Sequence, residues 1–228
     1  MKIAICSPVH GDTRAAFTQC LGRMLVATMS TDFVYNGARI RPDIELFFNA
    51  SSLLAESRCL LAEKGLRWGA DFILWMDADH TFPPNALARL LARSTPIAGA
   101  NYPRRNTGEP TAVALEGGAL PFDRTGLVEV ASLGLGLCLI DSQVFRTVPR
   151  PWFRIEHAAD GVPISEDYYF FHKARAAGQP AFVDADLSRE VGHIGIHVFT
   201  PGNVAATSPA DGAPPAGGIV TSRLGGRP

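Results

Sequence analysis

The sequence predicts an α/β fold built on an open, mixed sheet, and three observations lead to this prediction. Short apolar runs in the first hundred residues alternate with amphipathic stretches, which is typical of strand–helix units in a parallel sheet. After Pro96 the apolar runs are separated by glycine-rich turns, which indicates a mixed or antiparallel second half. The 228 residues are 46% hydrophobic and 19% charged, enough apolar material for one sizeable core.

The first half contains three predicted strand–helix units. The first and third strands are short apolar runs, and each helix begins at a residue type that is common at helix N-termini. The strands are predicted at 3–6, 43–48 and 72–76, and the helices at 13–29, from 51 or 52 to 65 or 69, and from 83 to about 93. Because the run 72–76 is apolar at every position, we expect it to be buried on both faces of the sheet.

The second half contains shorter elements. Predicted strands lie at 96–101, 111–115, 127–131, 137–140 and 181–183, and one helix spans 166–177 before Gly178. From residue 200 to 228 the chain is rich in glycine, proline, alanine and serine, so it lacks the apolar surface needed to offset its ordering entropy. We therefore predict one domain over residues 1–199 and a largely disordered tail over 200–228.

Charge, hydropathy and cysteine usage exclude several classes of protein. With 21 Lys and Arg against 22 Asp and Glu, the net charge of −1 gives no basic field for non-specific nucleic-acid binding. No apolar run approaches the roughly 18 residues that a membrane helix needs, and the start is too short before Pro8 for a secretory signal. The four cysteines are scattered, without a metal-binding or disulfide pattern. A cytoplasmic protein with no transmembrane segment is predicted.

Two aspartates, Asp77 and Asp79, directly follow the predicted strand 72–76. Ligands of open α/β sheets bind at the carboxyl ends of the strands, and a spacing of one residue sends both carboxylates to similar sides. Such a pair can share one hard cation. The alternative interpretation is a solvated turn, or a helix cap ahead of Pro83.

Acidic residues and a histidine provide two further candidates. Glu166 and Asp167 open the predicted helix after Ser165, where acidic side chains favour the helix dipole and a carboxylate can also serve as a general base. His193, with His197 as a weaker candidate, adds an imidazole. A set of carboxylates and imidazole suits Mn²⁺ or Zn²⁺ better than Mg²⁺.

Taken in order, these segments resemble the GT-A-fold glycosyltransferases, in particular the inverting, nucleotide-sugar-dependent enzymes like those of family 2. The resemblance covers about residues 2–195. It is carried by IAICSP (3–8), SRC (57–59), FILWMDAD (72–79), GANYPRR (99–105), LGLGLCLI (133–140), SEDYYF (165–170) and GHIG (192–195). It implies a Rossmann-like nucleotide-binding half over residues 1–101 and an acceptor and metal half over 102–199. Cys59 departs from the pattern, because the family often has Asn there.

The resemblance also implies roles for single residues. Asp79, with Asp77 and His193, would hold Mn²⁺ or Mg²⁺ against the two phosphates of a UDP- or GDP-sugar, and the metal would neutralise the leaving diphosphate. Asp167 would accept the proton of an acceptor hydroxyl, with Glu166 positioning the acceptor or the base. The residues expected to contact the donor are Ser7, Pro8, His10, Arg58, Asp77 and Arg104, with Arg105 as an alternative to Arg104. The acceptor is not indicated.

Two other functions fit part of the pattern. Asp77, Asp79 and Thr81 match the DxDxT motif of haloacid-dehalogenase-like phosphohydrolases, with Asp77 as nucleophile. That motif normally lies on the first strand, and here two strand–helix units precede it; the expected catalytic lysine is also misplaced, because Lys173 follows the second acidic pair. A non-catalytic module that binds a nucleotide-sugar is the other alternative.

Overall fold

The computed structural model describes residues 1–195 except Asn36 and Asn106. The predicted tail and His197 lie outside the described residues. The helices are α1 (Ala15–Met29), α2 (Leu54–Trp68), α3 (Ala86–Ala92), α4 (Ser142–Thr147), α5 (Glu166–Ala176) and α6 (Ala185–Ser188). The strands are β1 (Lys2–Val9), β2 (Phe33–Tyr35), β3 (Ala38–Ile40), β4 (Asp43–Ala50), β5 (Phe72–Met76), β6 (His80–Thr81), β7 (Ile97–Gly99), β8 (Val113–Ala114), β9 (Leu127–Ser132), β10 (Leu137–Asp141), β11 (Glu156–His157), β12 (Pro163–Ile164), β13 (Ala181–Asp184) and β14 (Gly192–His193).

Eight of these strands form one mixed sheet in the order β4-β1-β5-β10-β7-β13-β9-β8. Strand β1 is parallel to both β4 and β5, and β13 is parallel to β7. Strand β10 is antiparallel to both β5 and β7, while β9 is antiparallel to β13 and β8. The predicted change from a parallel first half to a mixed second half is therefore confirmed.

The core lies on both faces of the sheet, as the uniformly apolar strand β5 predicts. Ile73 and Trp75 pack into the cluster that includes Leu61 of α2 and Phe170 of α5. The alternate residues Leu74 and Met76 pack on the opposite face, in the cluster that contains buried residues of α1 and α3. Side chains of a strand alternate between faces, so one apolar strand connects two layers of helices and fixes the position of its own carboxyl end.

Several short elements were not predicted from the sequence. They are the hairpin of β2 and β3, the two-residue ribbons β6–β14 and β11–β12, and the helices α4 and α6. Such elements contain too few residues for a helical or strand periodicity to be visible. Helices α4 and α6 are instead marked by their caps, because Asp141 accepts from the Gln143 amide at 2.8 Å and Asp184 from the Leu187 amide at 2.9 Å. Among the described residues, no helix is long and apolar enough to cross a membrane.

Candidate functional site

The candidate site lies at the carboxyl end of β5, where the chain turns sharply. The Asp77 amide donates to the Gly136 carbonyl at 3.1 Å, and the His80 amide donates to the Asp77 carbonyl at 3.2 Å. The segment leading into α1 contacts the same turn, because the Arg14 amide donates to the Ala78 carbonyl at 3.4 Å. The turn that contains both aspartates is therefore anchored to neighbouring backbone on two sides.

A two-stranded ribbon connects this turn to the end of the described chain. Strand β6 pairs antiparallel with β14, so that His80 lies directly opposite His193. The Ile194 amide also donates to the Asp79 carbonyl at 2.7 Å. The backbone thus brings His193 beside Asp79, as the sequence predicts for a shared site.

Three side chains form a cluster that could hold a metal ion: Asp79, His80 and His193, whose ligand atoms all lie within 4.8 Å of one another. Asp79 Oδ1 is 3.1 Å from His80 Nδ1, and Asp79 Oδ2 is 3.5 Å from His193 Nε2. One carboxylate and two imidazoles form a donor set that suits Mn²⁺ or Zn²⁺. The chemistry of these residues therefore fits the divalent metal that the resemblance implies.

The backbone orients the His193 ring for this role. Its Nδ1 lies 3.0 Å from the Pro103 carbonyl, and a carbonyl can only accept, so Nδ1 carries the proton. The other ring nitrogen, Nε2, is therefore the one that faces Asp79 and that could bind a metal ion. A hydrogen bond from the distal nitrogen to a carbonyl is the usual outer-shell arrangement of histidine ligands.

The His80 ring packs against Tyr102 and the backbone of Gly136. The Tyr102 ring packs edge-on against His80 at 4.3 Å, and its hydroxyl accepts from the Gly136 amide at 2.8 Å. A Cβ on Gly136 would lie 2.5 Å from His80 Cε1 and 2.7 Å from the Tyr102 oxygen, so only glycine fits this approach. Buried His80 Nε2 has no hydrogen-bond partner within the described part of the chain.

Asp79 is ionised in this environment. Its burial would raise the pKa, but hydrogen bonds and charge from His193 and His80 outweigh burial and lower it well below the ordinary aspartate range. Arg105 adds a further positive group, with its guanidinium NH1 3.2 Å from Asp79 Oδ2. The cluster therefore presents a carboxylate anion to any cation that binds there.

A buried arginine connects the turn to helix α5. The Arg58 side chain is 2% exposed; its Nε donates to Glu166 Oε1 at 3.0 Å and its NH2 donates to Asp77 Oδ1 at 2.9 Å. Asp77, predicted as a shared metal ligand, thus pairs with Arg58 and lies outside the cluster of Asp79 and the two histidines. Arg58, predicted as a donor contact, points both of these nitrogens at carboxylates of the chain.

The start of α5 presents the predicted base beside this ion pair. Asp167 Oδ1 accepts from the Ser165 hydroxyl and from the Tyr168 amide, the latter at 2.8 Å. The Ser165 hydroxyl therefore donates to the carboxylate of Asp167 and makes no side-chain cap bond to the helix. Burial and the charge of Glu166 raise the pKa of Asp167 above the ordinary aspartate value. A raised pKa makes a carboxylate a stronger proton acceptor.

The remaining predicted donor contacts lie in the last part of β1, just after β1, and in the segment after β7. Ser7 and Pro8 are buried in the last part of β1, and His10 is exposed just after that strand. Arg104 NH2 donates to the Tyr168 hydroxyl at 3.3 Å, which ties the segment after β7 to α5.

The contacts give no support to the phosphohydrolase alternative. Asp77, its nucleophile, is already engaged by Arg58, and Lys173 Nζ donates to the Pro151 carbonyl. Two members of the cluster region were not identified from the sequence: His80 as a candidate ligand and Pro103 as the group that orients His193. For His80 the only sequence signal is its position directly after Asp79.

Comparisons with known proteins show the fold. No protein-family model and no curated protein sequence matches the chain. It is similar to the structure of A197 from STIV, with a TM-score of 0.52, 15% identity, and coverage of 88% of this chain and 97% of that one. It is also similar to GalNAc-T7 with UDP, GalNAc and Mn²⁺ (TM-score 0.54, 12% identity, 85% of this chain and 44% of that one).

A further similar structure is S. aureus TarS 1–349 in complex with UDP-GlcNAc, with a TM-score of 0.50, 13% identity, and coverage of 92% of this chain and 62% of that one. The chain therefore spans less than half of the GalNAc-T7 structure and less than two thirds of this one. At these identities the likeness concerns the fold alone. The chain has a mixed α/β fold of the GT-A type, as the sequence predicts.

Proposed function

We propose that this protein is an inverting glycosyltransferase, similar to the family-2 enzymes, which moves a sugar from a UDP- or GDP-sugar to an acceptor hydroxyl with the help of Mn²⁺ or Mg²⁺. The observation that carries the proposal is the meeting of Asp79 and His193, whose ligand atoms lie 3.5 Å apart at the carboxyl end of β5. Two glycosyltransferases share the fold, one of them solved with UDP and Mn²⁺ and the other with UDP-GlcNAc.

Asp79, His193 and His80 are the residues that would hold the metal. A bound divalent cation supplies charge neutralisation for the leaving diphosphate. The contribution of the chain is to hold Asp79 as a carboxylate and to orient the His193 ring through the hydrogen bond of its Nδ1 to the Pro103 carbonyl. Within the donor site, Ser7, Pro8 and His10 would border the nucleoside, and Arg104 would contact phosphate or sugar oxygens.

Asp167 would act as the general base. In the step that we propose, the acceptor hydroxyl oxygen attacks the anomeric carbon of the sugar while its proton passes to Asp167. The bond from that carbon to the phosphate oxygen breaks, and the nucleoside diphosphate leaves with the electron pair. Both hydrogen bonds to Asp167 involve Oδ1, so Oδ2 is the oxygen that we assign to the proton.

Arg58 and Glu166 would position the base rather than touch the substrates. Arg58 links Asp77, at the end of β5, to Glu166, at the start of α5. This bridge sets the distance between the strand end that carries Asp79 and the helix that carries Asp167. Residues 1–101 would then supply the nucleotide-binding half with the ligands Asp79 and His80, and residues 102–199 the acceptor half with the ligand His193, in one catalytic domain. A cytoplasmic location remains a prediction.

A binding screen followed by a turnover assay tests the proposal. Thermal shift is measured with UDP, GDP and their sugar conjugates, each with and without Mn²⁺, and the best donor is then assayed for release of the nucleoside diphosphate. We expect stabilisation that depends on Mn²⁺, and turnover that Asp79→Ala abolishes. Binding of a nucleotide-sugar with no turnover in the presence of any acceptor tried would favour the non-catalytic module. Hydrolysis of p-nitrophenyl phosphate with Mg²⁺, in the absence of nucleotide binding, would favour the phosphohydrolase.

A further inference from the structure

Arg105 contacts the oxygen of Asp79 that a metal ion held with His193 would also contact. Its guanidinium NH1 lies 3.2 Å from Asp79 Oδ2, and Oδ2 is also the oxygen that faces His193 Nε2. The Arg105 side chain is 49% exposed, so it approaches the cluster from the solvent side. A cation held between Asp79 and His193 would therefore share this oxygen with Arg105.

The loop that carries Arg105 contacts the cluster at two points. Pro103 and Pro110 form a bridge at its base, and the Arg104 amide donates to the Glu109 carbonyl at 2.8 Å. The carbonyl of Pro103 accepts from His193 Nδ1. One loop thus orients a candidate metal ligand at its base and places a cation against the carboxylate.

The two neighbouring arginines serve different parts of the site. Arg104 donates to the Tyr168 hydroxyl on α5, whereas Arg105 contacts Asp79. Because they are adjacent in the chain and equal in charge, Arg104 is a matched control for Arg105 in the binding of Mn²⁺ alone. We assign an effect on Mn²⁺ binding that is seen in Arg105→Ala and not in Arg104→Ala to the contact of Arg105 with Asp79.

Charge decides what happens to Arg105 when a cation binds. A guanidinium does not lose its proton in proteins, so it cannot relieve the repulsion of a divalent cation by becoming neutral. Repulsion between the two positive charges therefore favours movement of Arg105 away from Asp79 Oδ2. A diphosphate bound at the same place provides the partner that arginine prefers, because its oxygens accept paired, charge-assisted hydrogen bonds from the guanidinium fork.

We propose that Arg105 neutralises Asp79 in the metal-free protein and turns to the diphosphate of the donor when metal and donor bind. Arg105 is then both a stand-in for the cation and a donor-binding residue. The exchange keeps the charge of the centre nearly balanced in both states. The part that concerns the diphosphate rests on the proposed function, whereas the part that concerns Mn²⁺ alone does not.

The test measures two affinities of the full chain that change in opposite directions. Binding of Mn²⁺ alone is followed by the EPR signal of the free ion, for the parent, Arg105→Ala and Arg104→Ala. We expect Arg105→Ala to bind Mn²⁺ about two- to five-fold more tightly, the range of an exposed ion pair, and Arg104→Ala to differ from the parent by less. Binding of UDP and of GDP at saturating Mn²⁺ is then measured by calorimetry. There Arg105→Ala should bind about ten-fold more weakly.

The possible outcomes separate the inference from the proposed function. If the parent binds Mn²⁺ and a nucleoside diphosphate but Arg105→Ala binds Mn²⁺ no more tightly, the competition for Asp79 is refuted while the proposed function stands. If Mn²⁺ binds more tightly but the diphosphate affinity is unchanged, the transfer of Arg105 to the donor is refuted. A parent protein that binds neither ligand refutes the proposed function itself.

Discussion

His80 and His193 lie opposite each other on two antiparallel strands, with their imidazole rings stacked 4.4 Å apart at an angle of 19°. The strands β6 and β14 have two residues each, so backbone pairing alone is a weak restraint on the rings. Tyr102 contacts both imidazoles edge-on, at 4.3 and 5.6 Å. The geometry of the cluster therefore depends on how closely Tyr102 and His80 approach the backbone of Gly136.

Gly136→Ala tests this dependence. The new methyl group would meet the His80 ring and the Tyr102 oxygen at 2.5–2.7 Å, and such overpacking costs about 1–3 kcal/mol of unfolding free energy. We expect that loss in urea unfolding, together with weaker Mn²⁺ binding. Gly22→Ala in α1 is the control, because a Cβ there meets nothing within 4 Å. That substitution should raise the unfolding free energy by about 0.5–1 kcal/mol. Parent-like stability of Gly136→Ala would show that the ring can simply move aside.

Removal of single ligands distinguishes the metal cluster from the neighbouring ion pair. Asp79→Asn and His193→Ala should each weaken Mn²⁺ binding by on the order of 100-fold, because each removes a ligand of a three-residue set. Asp77→Asn should have a smaller effect, since Asp77 is paired with Arg58. His172→Ala, at an exposed position of α5, controls for the loss of an imidazole. Equal losses for Asp77→Asn and Asp79→Asn would restore Asp77 as a ligand.

The fold could be predicted largely because its central strand has an unambiguous composition. Strand β5 is apolar at every position, and burial on both faces follows from that composition alone. The left-handed glycines after α2 and α5, Gly69 and Gly178, were also visible as helix ends. The two-residue ribbon of β6 and β14 could not be predicted, since its pairing joins positions that are far apart in sequence and carries no periodicity.

The candidate site was predictable by residue type but not by partner. Asp79 and Asp167 were predicted from their positions after a strand and at a helix start, and His193 because an imidazole suits a site with two carboxylates; their roles stay predictions. The pairing of Arg58 with Asp77 and Glu166 was not, because a sequence does not show which carboxylate a buried guanidinium meets. The role of His80 depends on the stacking with His193, which only the ribbon reveals.

Arg58 gives a prediction about stability. Replacing it with alanine leaves Glu166 buried and Asp77 half-buried, both without their cation, and breaking a buried pair in this way costs about 3–5 kcal/mol. Arg58→Lys should restore little, because an ammonium cannot bridge two carboxylates with a planar fork. Arg39→Ala, which removes an exposed ion pair with Asp32, should cost at most about 1 kcal/mol. Similar losses of unfolding free energy for Arg58→Ala and Arg39→Ala would contradict the bridge.

Asp167 and Glu166 predict a pH dependence whose direction can be worked out. Burial and the negative charge of Glu166 raise the pKa of Asp167, so ionised Asp167 costs folding free energy at every pH above that raised value. Asp167→Asn should therefore melt at a higher temperature than the parent at neutral pH. The difference should vanish as the pH falls below the ordinary aspartate pKa, where the acid is protonated in both the folded and unfolded states. A general base contributes about 10²- to 10⁴-fold to the rate, and kcat of this variant should fall by that factor with little change in donor affinity.

Glu166→Gln then identifies the cause of the shift. Removing the like charge should lower the pKa of Asp167 and move the acid limb of the kcat/KM profile to lower pH. In this variant Arg58 loses one of its carboxylate partners. Its positive charge also lowers the pKa of Asp167, so both effects move the pKa in the same direction. Glu63 lies on α2 and pairs with Arg150. Glu63→Gln removes that carboxylate and should leave the acid limb at the same pH. If the acid limb stayed at the same pH in Glu166→Gln, another group would accept the proton. The same conclusion would follow if Asp167→Asn kept both the acid limb and the parent rate.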